Sequence, residues 1–365
     1  MHRTGINRLI LVCLLALPQI VLGQFTETRQ INKRFKVTPE TRIEITNKYG
    51  KIDMNTWEKD SVVIDIDIRV EDKKLSKLEK SIDQIDFNIT DSQDLLVIRT
   101  VIGGNMSSLE KEFQRFKESV FQTSGNDIEI NFTVWLPKTN KLKVENKFGD
   151  IYIDDYLGDI DIDLSNGNLK SHNFEGTTTI KLNFADATIN RVKTGTLDGN
   201  YSDVYLKEAG KLSISSKSSE FEINEAKELN VESRRDKFRI RSADLVDVKG
   251  SFSNFRISEL TDRATLRVEY GDIEIENVVS DFNSVYIESN STDINLYFKE
   301  TANFQFEITN TKSETSFCSQ MKVENEETLD EKEKKVKQTG SFGEKSENTR
   351  LYINAVGGEI EIHAY

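Results

Sequence analysis

Apolar and polar residues alternate along most of this chain, in short runs that return at a nearly constant interval. Ile45 is followed seven residues later by Ile52, Val144 by Ile151 and Leu266 by Ile273, with a glycine two residues before the second apolar position each time (Gly50, Gly149, Gly271). The same offset joins Ile162 to Leu169, Ile180 to Ala187, Leu197 to Val204, Ile214 to Phe221, Val231 to Phe238, Val248 to Phe255, Ile287 to Ile294 and Ile353 to Ile360. Between Ile151 and Ile273 the second position advances by 18, 18, 17, 17, 17, 17 and 18 residues. Around it the pattern has period two, as in Val204/Leu206, Phe221/Ile223, Phe238/Ile240 and Phe255/Ile257. That is the period of a strand with one buried face.

Each repeat therefore reads strand, tight corner, strand and return. So short a unit cannot bury its own apolar face, so repeats must stack about 4.8 Å apart and pair in parallel. The predicted fold class is all-β, a parallel β-helix or β-solenoid of about 17–18 residues per rung, right-handed, with a partly helical N-terminal cap region. A left-handed triangular helix would place its apolar anchors every six residues, and an antiparallel sandwich does not require so constant a beat. The small residue two before the second anchor (among them Gly167, Ala185, Ser202, Ser219 and Ser253) suits a corner where a bulky side chain would clash. In six rungs an aromatic residue precedes it, at Tyr49, Phe148, Phe184, Tyr201, Phe252 and Tyr270, which predicts rings stacked along one edge.

The beat fails towards both ends. Residues 24–140 hold one clear rung, long alternating strands (Val62 to Val70, Leu95 to Ile102, Ile128 to Leu136) and two stretches of helical spacing, Lys74 to Asp83 and Ser107 to Phe121. They are expected to form the N-terminal rungs and a cap over an otherwise bare sheet edge. Residues 141–310 are the regular solenoid. Residues 311–350, rich in alternating charge, are expected to be a mobile loop, and 351–365 a rung that closes the far end. Residues 1–23 read as a signal peptide: Arg3 and Arg8, an apolar run from Leu9 to Leu17, and Gly23 before the cut. No later run reaches the length of a membrane-spanning helix, so no integral span is expected in the mature chain. Val12 before Cys13 does not fit a lipidation signal, which leaves Cys318 as the one mature cysteine and no intrachain disulfide.

The Asn-Lys-Tyr/Phe-Gly corners at 47–50 and 146–149, with the Gly-Asp-Ile, Ser-Asp-Val and Ser-Glu-Phe strands at 149–151, 271–273, 202–204 and 219–221, resemble a bacterial family. It is the β-strand-repeat putative adhesin family, a domain of unknown function common in Bacteroidetes. The resemblance covers about 140–310 well, together with 40–56 and 350–362. It implies an exported solenoid, and it brings no catalytic residues with it.

Composition narrows the choice of partner. The 49 basic residues fall to 47 when Arg3 and Arg8 leave, against 62 acidic ones, so the mature chain carries −15, which excludes a general nucleic-acid binder. His172, His363 and Cys318 are too scattered to make a zinc site. A Ser108/Lys111 match to a penicillin-recognising motif lacks its middle element. No cofactor is implied. The single opening is Ca2+ on a column of corner residues (Asp150, Asn168, Asp186, Asp203, Glu220, Lys237, Asn254, Asp272, Asp293), or on the outward Asp159, Asp161 and Asp163. Asp and Asn as turn residues that cap local amides is the preferred reading. A neighbouring column, Tyr205, Glu222, Arg239, Arg256 and Glu274, places Arg239 beside Glu222 and Arg256 beside Glu274. Together with Arg241, Arg239 and Arg256 are the candidate ligand-facing residues, for an acidic glycan, against the plainer reading of a solvated salt-bridge face.

The function expected is that of an exported, non-enzymatic, adhesin-like binding protein of the cell envelope, in the periplasm or at the surface, whose partner is an envelope glycan or protein. The alternatives are a polysaccharide lyase or hydrolase on a β-helix, which needs clustered carboxylates in a walled groove, and a structural envelope component.

Overall fold

The computed structural model describes residues 24–103, 127–344, 346 and 348–365; the signal-peptide reading and the expected helix Ser107 to Phe121 lie outside them. Among the described residues there are 23 strands, hydrogen-bonded into one long, mostly parallel sheet, and a single helix.

The middle of the molecule follows the sequence pattern. Strands β12 (Asp186–Asn200), β13 (Asp203–Lys217), β14 (Glu220–Arg234) and β15 (Lys237–Ser251) are each 15 residues long, with two residues between one and the next. Each carries a second anchor near its start and the first anchor of the following rung near its end, as Ala187 and Leu197 on β12. Their partners run parallel, Val204 beside Phe221 beside Phe238 beside Phe255, and Ile214 beside Val231 beside Val248. β11 (Asn168–Asn183) continues this stack on one side, and β16 (Asn254–Val278) and β17 (Ser284–Phe298) on the other.

Packing across the interior is by size. Phe221, Phe238 and Phe255 form a buried stack with ring centroids 4.7 and 5.2 Å apart. Facing them are Gly199, Ser216, Ser233 and Gly250: a Cβ on Gly250 would lie 2.6 Å from Phe255 Cε2, and one on Gly199 3.0 Å from Phe221 Cζ. Each buried Phe contributes about 1.5–3 kcal/mol. Asp236, 2% exposed, stands where other rungs have a small corner residue. Its carboxylate accepts from Ser216 Oγ (2.7 Å), Ser233 Oγ (2.7 Å), Ser219 N (2.7 Å) and Arg234 N (2.9 Å), so it is buried without an unmet demand.

The corners combine crowding with a left-handed residue. A Cβ on Gly149 would stand 2.0 Å from the Gly50 carbonyl oxygen, and one on Gly271 1.9 Å from that of Ser253. The left-handed conformation falls on the residue before, with φ of +51° at Phe184, +53° at Tyr201 and +56° at both Phe252 and Tyr270.

At the ends, order in space departs from order in the chain. The rung formed by β2 (Arg42–Lys48) and β3 (Ile52–Trp57) sits on β8 (Leu142–Lys147) and β9 (Ile151–Ile153). Its other side is taken by strands that come later than it in the chain, β6 (Leu95–Ile102) and β7 (Asp127–Pro137). Antiparallel strands finish this end: β5 (Ile85–Asp91) on β6, β4 (Ser61–Asp72) on β7, and β1 (Phe25–Lys36) on β4. Helix α1 (Leu75–Asp83), the first expected insert, buries Leu78 and Ile82.

At the other end two expectations are corrected. The rung of residues 351–365 does not close the solenoid. Strands β22 (Arg350–Val356) and β23 (Glu359–Ala364) lie between β17 and the earlier-in-chain pair β18 (Phe304–Thr311) and β19 (Glu314–Phe317). The charged stretch 311–350 is not one long loop either. Besides β19 it contains β20 (Met321–Asp330) and β21 (Lys335–Phe342), antiparallel to each other, with β21 antiparallel to β18. Phe342 is buried on Phe304, ring centroids 4.7 Å apart, which anchors this hairpin over an edge that would otherwise be bare.

Candidate functional site

The outward positions of the rungs form three surfaces that could receive a partner. The first is the face of the second-anchor strands. Arg239 and Arg241 lie on β15 and Arg256 on β16, all exposed and all on one face. The expected register holds, with Glu222, Arg239 and Arg256 side by side. The ion pairs differ in part. Arg239 pairs with Glu220, two positions back along its neighbouring strand, and not with Glu222. A long guanidinium reaches a diagonal neighbour as readily as a direct one. Arg256 reaches Glu274 at 3.5 Å and also Glu276. Two of the three candidate arginines are thus already neutralised by carboxylates, while Arg241 makes no ion pair among the described residues.

The corner column of acids and amides is also in register, and its members differ in environment. Asp150 Oδ1 accepts from Asn168 N (2.8 Å) and Nδ2 (2.9 Å), and Oδ2 from the Tyr152 hydroxyl (3.1 Å). Burial pushes the Asp150 carboxyl up, but these bonds outweigh it and hold it below the ordinary range. Asp203 is raised, first by burial and then by the charges of Asp186 and Glu220. Among the described residues no group of three or more His, Cys, Asp or Glu is placed to hold a metal ion. Asp159, for its part, accepts from Thr177 N at 3.0 Å, an amide of the next rung and not a local one. His172 is exposed on β11; His363 on β23 stacks on Tyr297 at 4.4 Å, its Nε2 3.1 Å from a Glu361 oxygen. Cys318 is a free, half-buried thiol.

The second surface is one the sequence reading missed. On the first-anchor strands a shallow depression of about 450 Å3 has a floor of small hydroxyl residues, Thr196, Ser213 and Ser215, bordered by Lys181, Asp198 and Lys249. Beside it lies another of about 660 Å3, with Arg234, Arg267, Glu269 and Glu288 on its border. No motif marks these residues. Only the register shows that outward positions of five successive rungs are short in the middle and long at the sides.

The third surface is the aromatic corner. Its rings stack in pairs, Tyr49 on Phe148 (5.6 Å), Phe184 on Tyr201 (4.8 Å) and Phe252 on Tyr270 (4.9 Å). The rungs between the last two pairs carry Ser218 and Arg235 at the same backbone conformation.

No helix among the described residues is long and apolar enough to cross a membrane. No family model matches the chain, and no curated protein matches it. Solved structures resemble it weakly. A putative cell adhesion protein from Clostridium sporogenes is 11% identical over 92% of this chain and 100% of its own, with a TM-score of 0.16. A putative adhesin from Bacteroides fragilis is 13% identical over 91% and 97%, TM-score 0.22. A putative lipid binding protein from Parabacteroides distasonis is 11% identical over 74% and 96%, TM-score 0.29. At these values the likenesses carry no argument about function, and the family remains a resemblance of motifs.

Proposed function

We propose that the mature chain is an exported, non-enzymatic binding protein of the cell envelope, adhesin-like, built on a right-handed parallel β-helix of 17–18 residues per rung. The observation that carries this reading is the flank itself. Outward side chains of consecutive rungs stand in columns over β11 to β17, and the depressions among them are shallow and bordered by charged side chains. A catalytic groove for a polymer needs a pair of carboxylates set apart by environment and walls that hold the substrate in register. Here several acids of the flank, among them Asp150, Glu220, Glu228 and Glu276, are tied to arginines, lysines and amides instead. Such a surface suits many weak contacts along an extended partner, whose combined effect exceeds any one of them.

The test is incubation of residues 24–365 with a panel of envelope and plant polysaccharides, with and without Ca2+, scoring retention and newly formed chain ends. Retention without new ends is the expected result. New chain ends overturn the reading in favour of a lyase or hydrolase.

A further inference from the structure

We infer that the aromatic corner at Phe184, Tyr201, Phe252 and Tyr270 is a binding site for a neutral, linear polysaccharide. This rests on the binding reading above and names its ligand class. The four rings are 62%, 48%, 54% and 49% exposed. They also occupy left-handed positions, where an L side chain crowds its own backbone. The fold itself does not ask for rings there: Asn166, Ser218, Arg235 and Ser291 take the same conformation at the same corner. Aromatic residues that bear both backbone strain and exposure, in a position polar residues fill equally well, mark a surface kept for a partner.

The surroundings select the partner. The Phe184–Tyr201 pair is flanked in sequence and register by Asn183 and Asn200 on one side and by Asp186 and Asp203 on the other. Asn200 Nδ2 lies 3.4 Å from Asn183 Oδ1, so the two amides form a ladder. The Phe252–Tyr270 pair is flanked by Ser251 and Glu269, and by Asn254 and Asp272. Within each stacked pair the inner faces of the rings cover one another, so a sugar meets an outer π-face, whose negative charge attracts the polarised C–H face of the sugar. Carboxylates and amides at their sides accept from and donate to its hydroxyls. The carboxylates beside each pair, on an acidic mature chain, repel an acidic glycan at both aromatic contacts, while the basic Lys217, Arg234, Arg235 and Lys237 lie on the two rungs between them. With rungs about 4.8 Å apart, the open stretch between Tyr201 and Phe252 is about 14 Å, and the full run from Phe184 to Tyr270 about 24 Å. A linear polymer laid along the corner therefore meets two aromatic contacts with polar ones between, whereas a mono- or disaccharide meets one.

The experiment is affinity electrophoresis of residues 24–365 through hydroxyethylcellulose, xylan, mannan and polygalacturonate. It is repeated with Phe184→Ser/Tyr201→Ser, with Phe252→Ser/Tyr270→Ser and with all four changes. Serine already stands at positions 218 and 291 in this conformation, so the variants keep the corner. The expected result is retention by at least one neutral polymer, weakened about tenfold or more in either double variant because one of two linked contacts is lost. Oligosaccharides that span the full run bind more tightly than short ones. As a check that needs no variant, the bound polymer slows nitration of Tyr201 and Tyr270, read by peptide mass. The proposal is overturned if no neutral polymer is retained, or if the fourfold variant binds as the native chain does. Retention of polygalacturonate alone, lost on Arg241→Ser, overturns it too while leaving the binding reading in place. New chain ends would instead remove that reading.

Discussion

The middle of the molecule and its two ends obey different rules. From β11 to β17 each strand lies on the one before it, pairing is parallel, and one unit is packed like the next. At both ends a rung is slipped between neighbours that are not its neighbours in sequence, and antiparallel strands cover what is left. The difference follows from what each region must do. An interior rung has partners on both sides and only has to repeat. A terminal rung presents a row of unpaired amides and carbonyls, and a repeat cannot cover it, because another repeat exposes the same edge again. The chain therefore stops repeating at its ends and returns on itself.

The largest expected effect belongs to the middle. Phe238→Asp places a charge between Phe221 and Phe255 with no partner, and the variant should show no cooperative thermal transition and lose the β-sheet circular-dichroism signal. Wild-type-like melting of this variant would contradict the stacked interior. Next is removal of residues 350–365. It strips the rung between β17 and β18, so trypsin should cut within 299–349 while 168–298 stays protected, since repeats depend chiefly on their neighbours. Protection of 299–349 in the truncated chain would show that β18 can dock on β17 unaided. Smaller still is Asp236→Ala, which leaves two serine hydroxyls and two amides without their acceptor. It should cost more than about 2 kcal/mol in urea unfolding, and Asp236→Ser, the residue of neighbouring rungs, should recover much of that.

The smallest effects separate two members of one column. Asp150 is held below the ordinary carboxylate range, so its contribution is present above the unfolded value of about 3.9 and lost as pH falls through the folded one. Asp203 is raised, so ionising it opposes folding and its contribution is lost as pH rises through the folded value. Asp150→Asn should therefore lower Tm at pH 7, by a difference that shrinks in acid. Asp203→Asn should raise Tm slightly at pH 7 and leave it unchanged below pH of about 3.9. Melting curves of both variants from pH 3 to pH 8, on the scale of those ordinary carboxyl values, check the signs.

The middle was legible in the sequence because its signal is local: Val204, Phe221, Phe238 and Phe255 announce strand, face and neighbour within one period. The order of the ends was not, because Ile353 fits beside both Ile287 and Ile308, and nothing in a single sequence says that it takes the place between them. β20 escaped notice because its outward charges continue through nearly its whole length, leaving Met321 as its one buried residue. Of the candidate surfaces, the columns through Arg239 and Asp203 and the stacked corner rings could be read by counting. The left-handed backbone beneath those rings and the hydroxyl floor around Ser213 could not, since they arise from how a rung turns and which side chains become neighbours.

The central structural claim, that residues 350–364 lie inside the stack and not at its end, is tested most directly by disulfide trapping in a Cys318→Ser background. Glu288 and Asn354 are register partners on adjacent strands, as are Asn354 and Thr309. Glu288→Cys/Asn354→Cys and Asn354→Cys/Thr309→Cys should oxidise readily. Glu288→Cys/Thr309→Cys, two strand spacings or about 9.6 Å apart, lies beyond the roughly 7 Å that a disulfide can bridge. Efficient closure of that last pair, with none at Glu288→Cys/Asn354→Cys, would place β18 directly on β17 and contradict the interleaved end.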